Sequence, residues 1–289
     1  MNKAFFNYIS VLLLFGSNGI VAGYIDLSSY EIVFLRTMIG SIFLITLFFL
    51  RGKKFTFPRH KKDFVFISIS GIATGIGWVF LYEAYGQIGV GVASLCYYCG
   101  PIIVMLFSPL LFKEKLTCTK IVGFVVVLIG LFLVNCCETV GTNYFGVLCG
   151  IVSAIMYAFM VIFNKKAVLV TGLENSALQL FSAFVTVAFF VGLKQGFVID
   201  ISKESILPIF ILGLLNTGVG CCVYFSSMSK LPVQTVAICG YVEPLSAVLF
   251  SAIFCGERLL AHQIIGVFLI VGGAILGERI KIKRKMPMQ

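Results

Sequence analysis

The chain has 289 residues, of which 60% are apolar and 12% charged, and it carries a formal charge of +10. Soluble domains run at about 25% charged residues, so this composition excludes a soluble fold. The positive charge does not point to nucleic acid, which needs a basic face on a soluble surface; here Lys and Arg sit in short tracts between apolar runs.

Apolar windows long enough to cross a hydrocarbon core fall in chain order near 4–23, 30–50, 64–84, 89–111 and 118–135, and then near 144–163, 174–193, 207–227, 232–254 and 262–277. The sequence therefore predicts an all-α integral membrane protein with ten transmembrane helices and no separate aqueous domain. The first run lacks a small-x-small cleavage site and is expected to remain a helix of the mature protein.

Basic residues orient such a bundle, because cytoplasmic loops are enriched in them. With both termini inside, the inner segments hold Lys3, the tract from Arg51 to Lys62, Lys113, Lys115, Lys120, Lys165, Lys166, Lys230 and the tract from Arg279 to Lys285. Only Lys194, Lys203 and Arg258 fall outside, and Arg36 lies within a span. That imbalance predicts N-in, C-in topology in an inner or plasma membrane.

The chain also repeats itself at an ungapped offset of 143 residues. Glu31 matches Glu174, Gly75 matches Gly218, Gly77 matches Gly220, Tyr98 matches Tyr241, Pro101 matches Pro244, Glu114 matches Glu257, Gly123 matches Gly266 and Gly130 matches Gly273. Residues 1–140 and 141–289 thus read as two five-helix repeats. Five is odd, so the second copy enters from the opposite face and the repeats are inverted, an arrangement suited to alternating access around a site near the midplane. Duplication kept for packing alone is the competing reading.

The tracts Gly100-Pro101 to Leu116 and Glu243-Pro244 to Leu259, each followed by a glycine-rich helix, resemble the EamA-type transporters of the drug/metabolite transporter superfamily. Arg36 within Phe34-Leu35-Arg36 is similar to that family's basic position. The resemblance covers essentially the whole chain and implies a carrier whose cavity is lined mainly by helices 1, 3, 4, 6, 8 and 9. It also implies efflux as the direction; the substrate class stays open among amino acids, their analogues, nucleosides and amphipathic drugs.

Polar groups inside the spans nominate the site, since an intramembrane charge is costly and functional by default. Glu243 lies near the midplane and has Gly100 as its repeat mate. Two roles are open for it: binding a proton or cationic group during transport, or bonding backbone freed by Pro244. Trp78, the only tryptophan, and Tyr82 share one face of helix 3 with Gly71, Gly75 and Tyr85; the first two are candidates for the cavity wall and Tyr85 for the membrane interface. Tyr97, Tyr98 and Tyr241 adjoin the two prolines, and Asn18, Tyr157, Asn216 and Tyr224 complete the expected substrate-binding set. Arg36 is expected to snorkel to the headgroups. Glu31, Glu174, Glu114 and Glu257 read as helix-end anchors, and Glu83 gives no signal.

The ten cysteines lie mostly within spans and read as small packing residues, with no metal and no cofactor expected. His60 and His262 lie in or beside loops. A lone mid-membrane carboxylate without a neighbouring His or Asp does not make an enzyme, and no phosphate-binding GxxxxGK[ST] loop is present for ATP-driven pumping. The expected partners are a small-molecule substrate and the lipid bilayer, with no nucleic acid, for a chain that looks complete as a monomer. A channel, a lipid scramblase or a membrane scaffold without solute flux are the rival functions.

Overall fold

The computed structural model describes residues 2–135, 143–194, 196–197, 199–254 and 260–278. Within them the chain forms ten rods. We number them α1 (Asn2–Gly16 and Asn18–Gly23), α2 (Ser29–Leu50), α3 (Lys61–Ile88), α4 (Val90–Tyr97 and Gly100–Phe112) and α5 (Cys118–Asn135). The second five are α6 (Tyr144–Lys166), α7 (Gly172–Lys194), α8 (Lys203–Met228), α9 (Val233–Cys239 and Val242–Phe254) and α10 (Ala261–Glu278). Eight are long and apolar enough to cross a membrane, and α5 and α10 are shorter apolar helices over Cys118–Val134 and Ala261–Gly277. The protein is a multi-pass, all-helical membrane protein built as two inverted five-helix repeats.

Local chemistry sets where the rods start and break. Ser28 and Glu31 form a reciprocal capping box that opens α2. The α4 and α9 rods each break just before their proline, at Tyr98–Cys99 and Gly240–Tyr241. Pro101 and Pro244 lack an N–H, and their rings clash with the carbonyl four residues back, so both rods restart in matching places. In α8 the stretch Ile211–Val219 widens to π-helical geometry.

The seam between α5 and α10 carries the repeat symmetry most directly. A Cβ on Gly130 would lie 2.6 Å from the Gly266 carbonyl oxygen, and one on Gly266 2.6 Å from that of Gly130. Gly123 and Gly273 meet the same way, at 2.6 and 2.5 Å. Gly123 and Gly130 are the repeat mates of Gly266 and Gly273, so each contact is the other's image. The register also makes the rods antiparallel, which lays the two-fold axis across them and in the membrane plane. Small residues that let backbones approach are the usual basis of helix association in lipid.

A second mirrored pair lies between α2 and α8 and between α7 and α3. Arg36 Nε donates to Thr217 Oγ1 at 3.0 Å, and Gln179 Nε2 donates to Thr74 Oγ1 at 3.1 Å. The 143-residue offset converts one bond into the other.

The seam yields a stability prediction. Gly266→Val forces a branched side chain onto the Gly130 carbonyl and the Val134 side chain, and is expected to cost about 1–3 kcal/mol, the range of overpacked cores. Gly272→Ala, on the same helix with open space around the added methyl, is expected to leave the thermal midpoint in detergent unchanged. Equal melting of both variants would contradict the seam.

Candidate functional site

A cavity of about 290 Å³ lies between the two repeats. Asn18 of α1, Trp78 and Tyr82 of α3, Tyr97 and Tyr98 of α4, Tyr157 of α6, Tyr224 of α8 and Glu243 of α9 all line it. Sequence patterning had nominated each of them. The wall follows the repeat: Trp78 and Cys221, Leu81 and Tyr224, and Tyr82 and Phe225 are mates, and all six line the cavity. The wall reaches Ala22 and Tyr85, within a turn of the ends of α1 and α3, which emerge on the same face of the bundle.

Aromatic rings make most of that wall. Tyr97 meets Tyr157 edge-on at 5.4 Å between centroids, Tyr82 meets Tyr85 at 5.3 Å, and Tyr224 packs between Tyr8 and Phe15 at 5.3 and 5.7 Å. Aromatic walls with few polar groups suit small organic ligands.

Two nominated residues stand back from the cavity. Asn216 spends its amide on Ser17 Oγ and Asn18 Oδ1, both at 2.9 Å, and so ties α8 to the break in α1. The Tyr241 hydroxyl donates to the Tyr98 carbonyl at 2.8 Å and is fully buried. Both are polar groups bonded where a rod breaks, to side chains for Asn216 and to backbone for Tyr241, and sequence depth alone does not distinguish them from ligand-binding groups.

Arg36 corrects the snorkelling expectation. It is only 6% exposed; its guanidinium sits 4.7 Å from the centre of the Trp78 ring and reaches Tyr82 Oη at 3.5 Å. The physical reason is the partner on α8: Thr217 gives its own proton to the Leu212 carbonyl, 2.8 Å away across the π-helical stretch, leaving its oxygen to accept from Arg36. With the indole face supplying a cation–π contact, the inward rotamer is satisfied. Tyr85 likewise lines the cavity rather than serving only the membrane interface.

Glu243 and its repeat mate differ for a steric reason. A Cβ at Gly100 would lie 2.7 Å from the Tyr157 ring and 2.9 Å from the Ala154 carbonyl oxygen, so α6 leaves no room there for a side chain. At 243 the side chain enters the cavity instead. Among the described residues its carboxylate accepts no hydrogen bond and joins no ion pair. Arg36 and Glu243 are, among the described residues, the only formally charged side chains in the wall.

The opposite end of the bundle is closed by charge on backbone. Glu114, in the loop after α4, accepts from Val233 N at 2.8 Å and Gln234 N at 3.1 Å, the first residues of α9. Lys165 donates to the Met228 and Ser229 carbonyls at 3.1 and 3.2 Å, at the end of α8. Gln234 also bonds Ser108 at 2.9 Å, deep between α4 and α9. Anions at helix N-termini and cations at C-termini are the favoured arrangement. Glu174 works similarly, accepting from Thr56 N and Phe57 N at 2.6 and 2.9 Å. Glu83 pairs with Lys194 at 2.8 Å, the one ion pair among the described residues. Glu257 and Arg258 lie outside the described residues, as does the basic tract from 279. No group of His, Cys, Asp and Glu able to hold a metal occurs among the described residues.

Comparison with known proteins agrees with this architecture. The model of the EamA-like transporter family matches the chain twice, over residues 2–136 and 144–277. The uncharacterized transporter YxxF of Bacillus subtilis is 23% identical over 92% of this chain and 86% of its own. The uncharacterized inner membrane transporter YicL of Salmonella typhimurium is 22% identical over 95% of this chain and 94% of its own. A solved crystal structure of a protein 16% identical in sequence superposes with a TM-score of 0.83, covering 99% of this chain and 100% of the other; it shares the fold.

Because Trp78 is the only tryptophan, its fluorescence reports on the cavity alone. Arg36→Ala removes the cation above the indole and is expected to shift the emission maximum and change acrylamide quenching, while Lys203→Ala, outside the cavity lining, leaves both unchanged. An unaltered spectrum in the Arg36 variant would show that the guanidinium does not rest on the ring.

Proposed function

The chain belongs to the EamA-like transporter family and is a membrane transporter rather than an enzyme, and we propose that it carries small organic solutes by alternating access through the aromatic cavity between its repeats. The observation that carries this reading is the wall itself: both repeats contribute equivalent positions to one chamber, and that chamber holds both Arg36 and Glu243. Residues 1–140 and 141–289 are then the two moving units, in line with the two stretches that match the family model.

We place both termini in the cytoplasm of an inner or plasma membrane, from the distribution of Lys and Arg. The inner-membrane assignment of the Salmonella relative supports the compartment. In that orientation the ends of α1 and α3 that the cavity reaches face outward, and the end closed by Glu114 and Lys165 faces inward. The described conformation is the outward-directed one, efflux is the expected direction, and one chain suffices.

Within this cycle Glu243 binds a proton or a cationic group of the substrate. A charged carboxyl in an apolar span is costly unless a proton or a cation meets it, and that of Glu243 faces the cavity with no hydrogen-bonded partner among the described residues. Asn18, Trp78, Tyr82, Tyr97, Tyr98, Tyr157 and Tyr224 supply the remaining contacts to substrate.

Transport in proteoliposomes tests the assignment. Flux of candidate solutes is expected to saturate and to respond to an imposed pH gradient in the wild type. Glu243→Gln is expected to lose the response to pH while retaining the fold. Unchanged rate and unchanged pH dependence in that variant would remove the coupling role, and flux that never saturates, or lipid flip without solute flux, would favour a channel or a scramblase.

A further inference from the structure

A second and larger hollow opens on the flank of the bundle, about 710 Å³ in volume, between α2, α3 and α7. Its wall is apolar, with Phe49 of α2, Phe57 of the loop that follows, Ile72 of α3, and Phe181, Val185 and Phe189 of α7. The four α7 and α2 side chains are 45–69% exposed, so in the membrane this hollow faces lipid. Of its two polar members, Thr186 makes no demand on an occupant, since it spends its hydroxyl on the Ser182 carbonyl at 2.9 Å.

The length of the hollow matches one leaflet. Its α7 wall runs from Ala177 to Phe189, about 18 Å at 1.5 Å per residue, against about 15 Å for half of a 30 Å hydrocarbon core. One end is floored by the loop 51–60, held in place by stacking of Phe55 on Phe48 at 4.4 Å and of Phe57 on Phe64 at 4.7 Å.

That same loop and the first residues of α3 are basic and lack acidic compensation among the described residues. Arg51, Lys53, Lys54, Arg59, Lys61 and Lys62 are all exposed and join no ion pair among the described residues. The two carboxylates nearby are consumed by backbone: Glu174 by Thr56 and Phe57, and Asp63 by Leu169 N and Val170 N at 2.5 and 3.0 Å. Positive charge therefore stands beside the end of the apolar groove that this loop floors. Basic clusters at this depth attract anionic headgroups.

We propose that this groove is a binding site for an anionic phospholipid, with an acyl chain between α2, α3 and α7 and the phosphate held by Arg51, Lys53 and Lys54. The site is separate from the substrate cavity, with which it shares no lining residue, and it belongs to whichever leaflet contains the loop 51–60.

Native mass spectrometry of the full chain, titrated in detergent with dioleoyl phosphatidylglycerol or dioleoyl phosphatidylcholine, tests it. Phosphatidylglycerol is expected to be retained preferentially, and Arg51→Ser, Lys53→Ser and Lys54→Ser together to weaken that retention about tenfold or more. Val185→Trp, which fills the groove and leaves every charge in place, is expected to remove the preference as well. Lys113→Ser with Lys115→Ser, an equal kind of charge loss on another loop, is expected to preserve it. Equal retention of the two lipids by the wild type overturns the proposal. So does a preference that survives Val185→Trp, which reduces the effect to surface attraction, or one lost equally in the Lys113 and Lys115 variant.

Discussion

The contact on which this bundle depends is one that two copies of a single unit must make with each other from opposite sides. A residue at that contact meets the image of its neighbour, so whatever side chain it carries is counted twice. Glycine at 123, 130, 266 and 273 is the solution in which the doubled bulk vanishes, and backbone meets backbone at both ends of the seam. In lipid, where apolar side chains gain little by leaving the surrounding tails, such close packing supplies the association that water exclusion supplies elsewhere. The breaks in α4 and α9 follow the same rule, because a proline present in both copies interrupts both rods at equivalent depths.

Function needs the opposite, since a chamber that treats both copies alike has no chemical polarity. The frame tolerates difference only where the symmetric neighbours allow it. Position 36 carries a guanidinium while its mate Gln179 makes the same hydrogen bond as a neutral amide. Position 243 carries a carboxyl while its mate is glycine, because the α6 backbone and Tyr157 occupy the space a side chain would need. Charge thus enters once from each repeat, into a wall where Trp78 and Cys221, Leu81 and Tyr224, and Tyr82 and Phe225 are the paired positions.

Much of this frame was legible in the sequence because it follows from periodicity and composition. Span lengths, the repeat and most of the cavity wall come from where apolar, aromatic and proline residues recur, and depth along a rod is readable from counting. Rotamers are not. Arg36 lies close enough to a helix end for either direction, and the inward choice depends on Thr217, a residue 181 positions away whose hydroxyl proton is diverted by a π-helical turn. The mirrored bond between Gln179 and Thr74 was the available signal, visible only when mates of polar residues are compared as pairs. Asn216 and Tyr241 sit at the expected depth, but bonds at the breaks beside them, to Ser17 and Asn18 and to the Tyr98 carbonyl, take their polar groups.

The two ends of the contact network differ in what can replace them. The end formed by α8, α9 and the loop after α4 is held by Glu114 and Lys165 acting on backbone groups at helix termini. Each of those groups has water as an alternative partner at a membrane surface, so separating them exchanges one set of hydrogen bonds for another at modest net cost. The glycine seam has no such substitute, because nothing in hydrocarbon refills the contact between two backbones, and a gap forfeits its dispersion energy outright. The proposed cycle, opening the chamber toward the opposite face, would therefore break the charged end and keep the seam. In the alternating-access cycle proposed above, each repeat would turn against the other about the fixed crossing of α5 and α10.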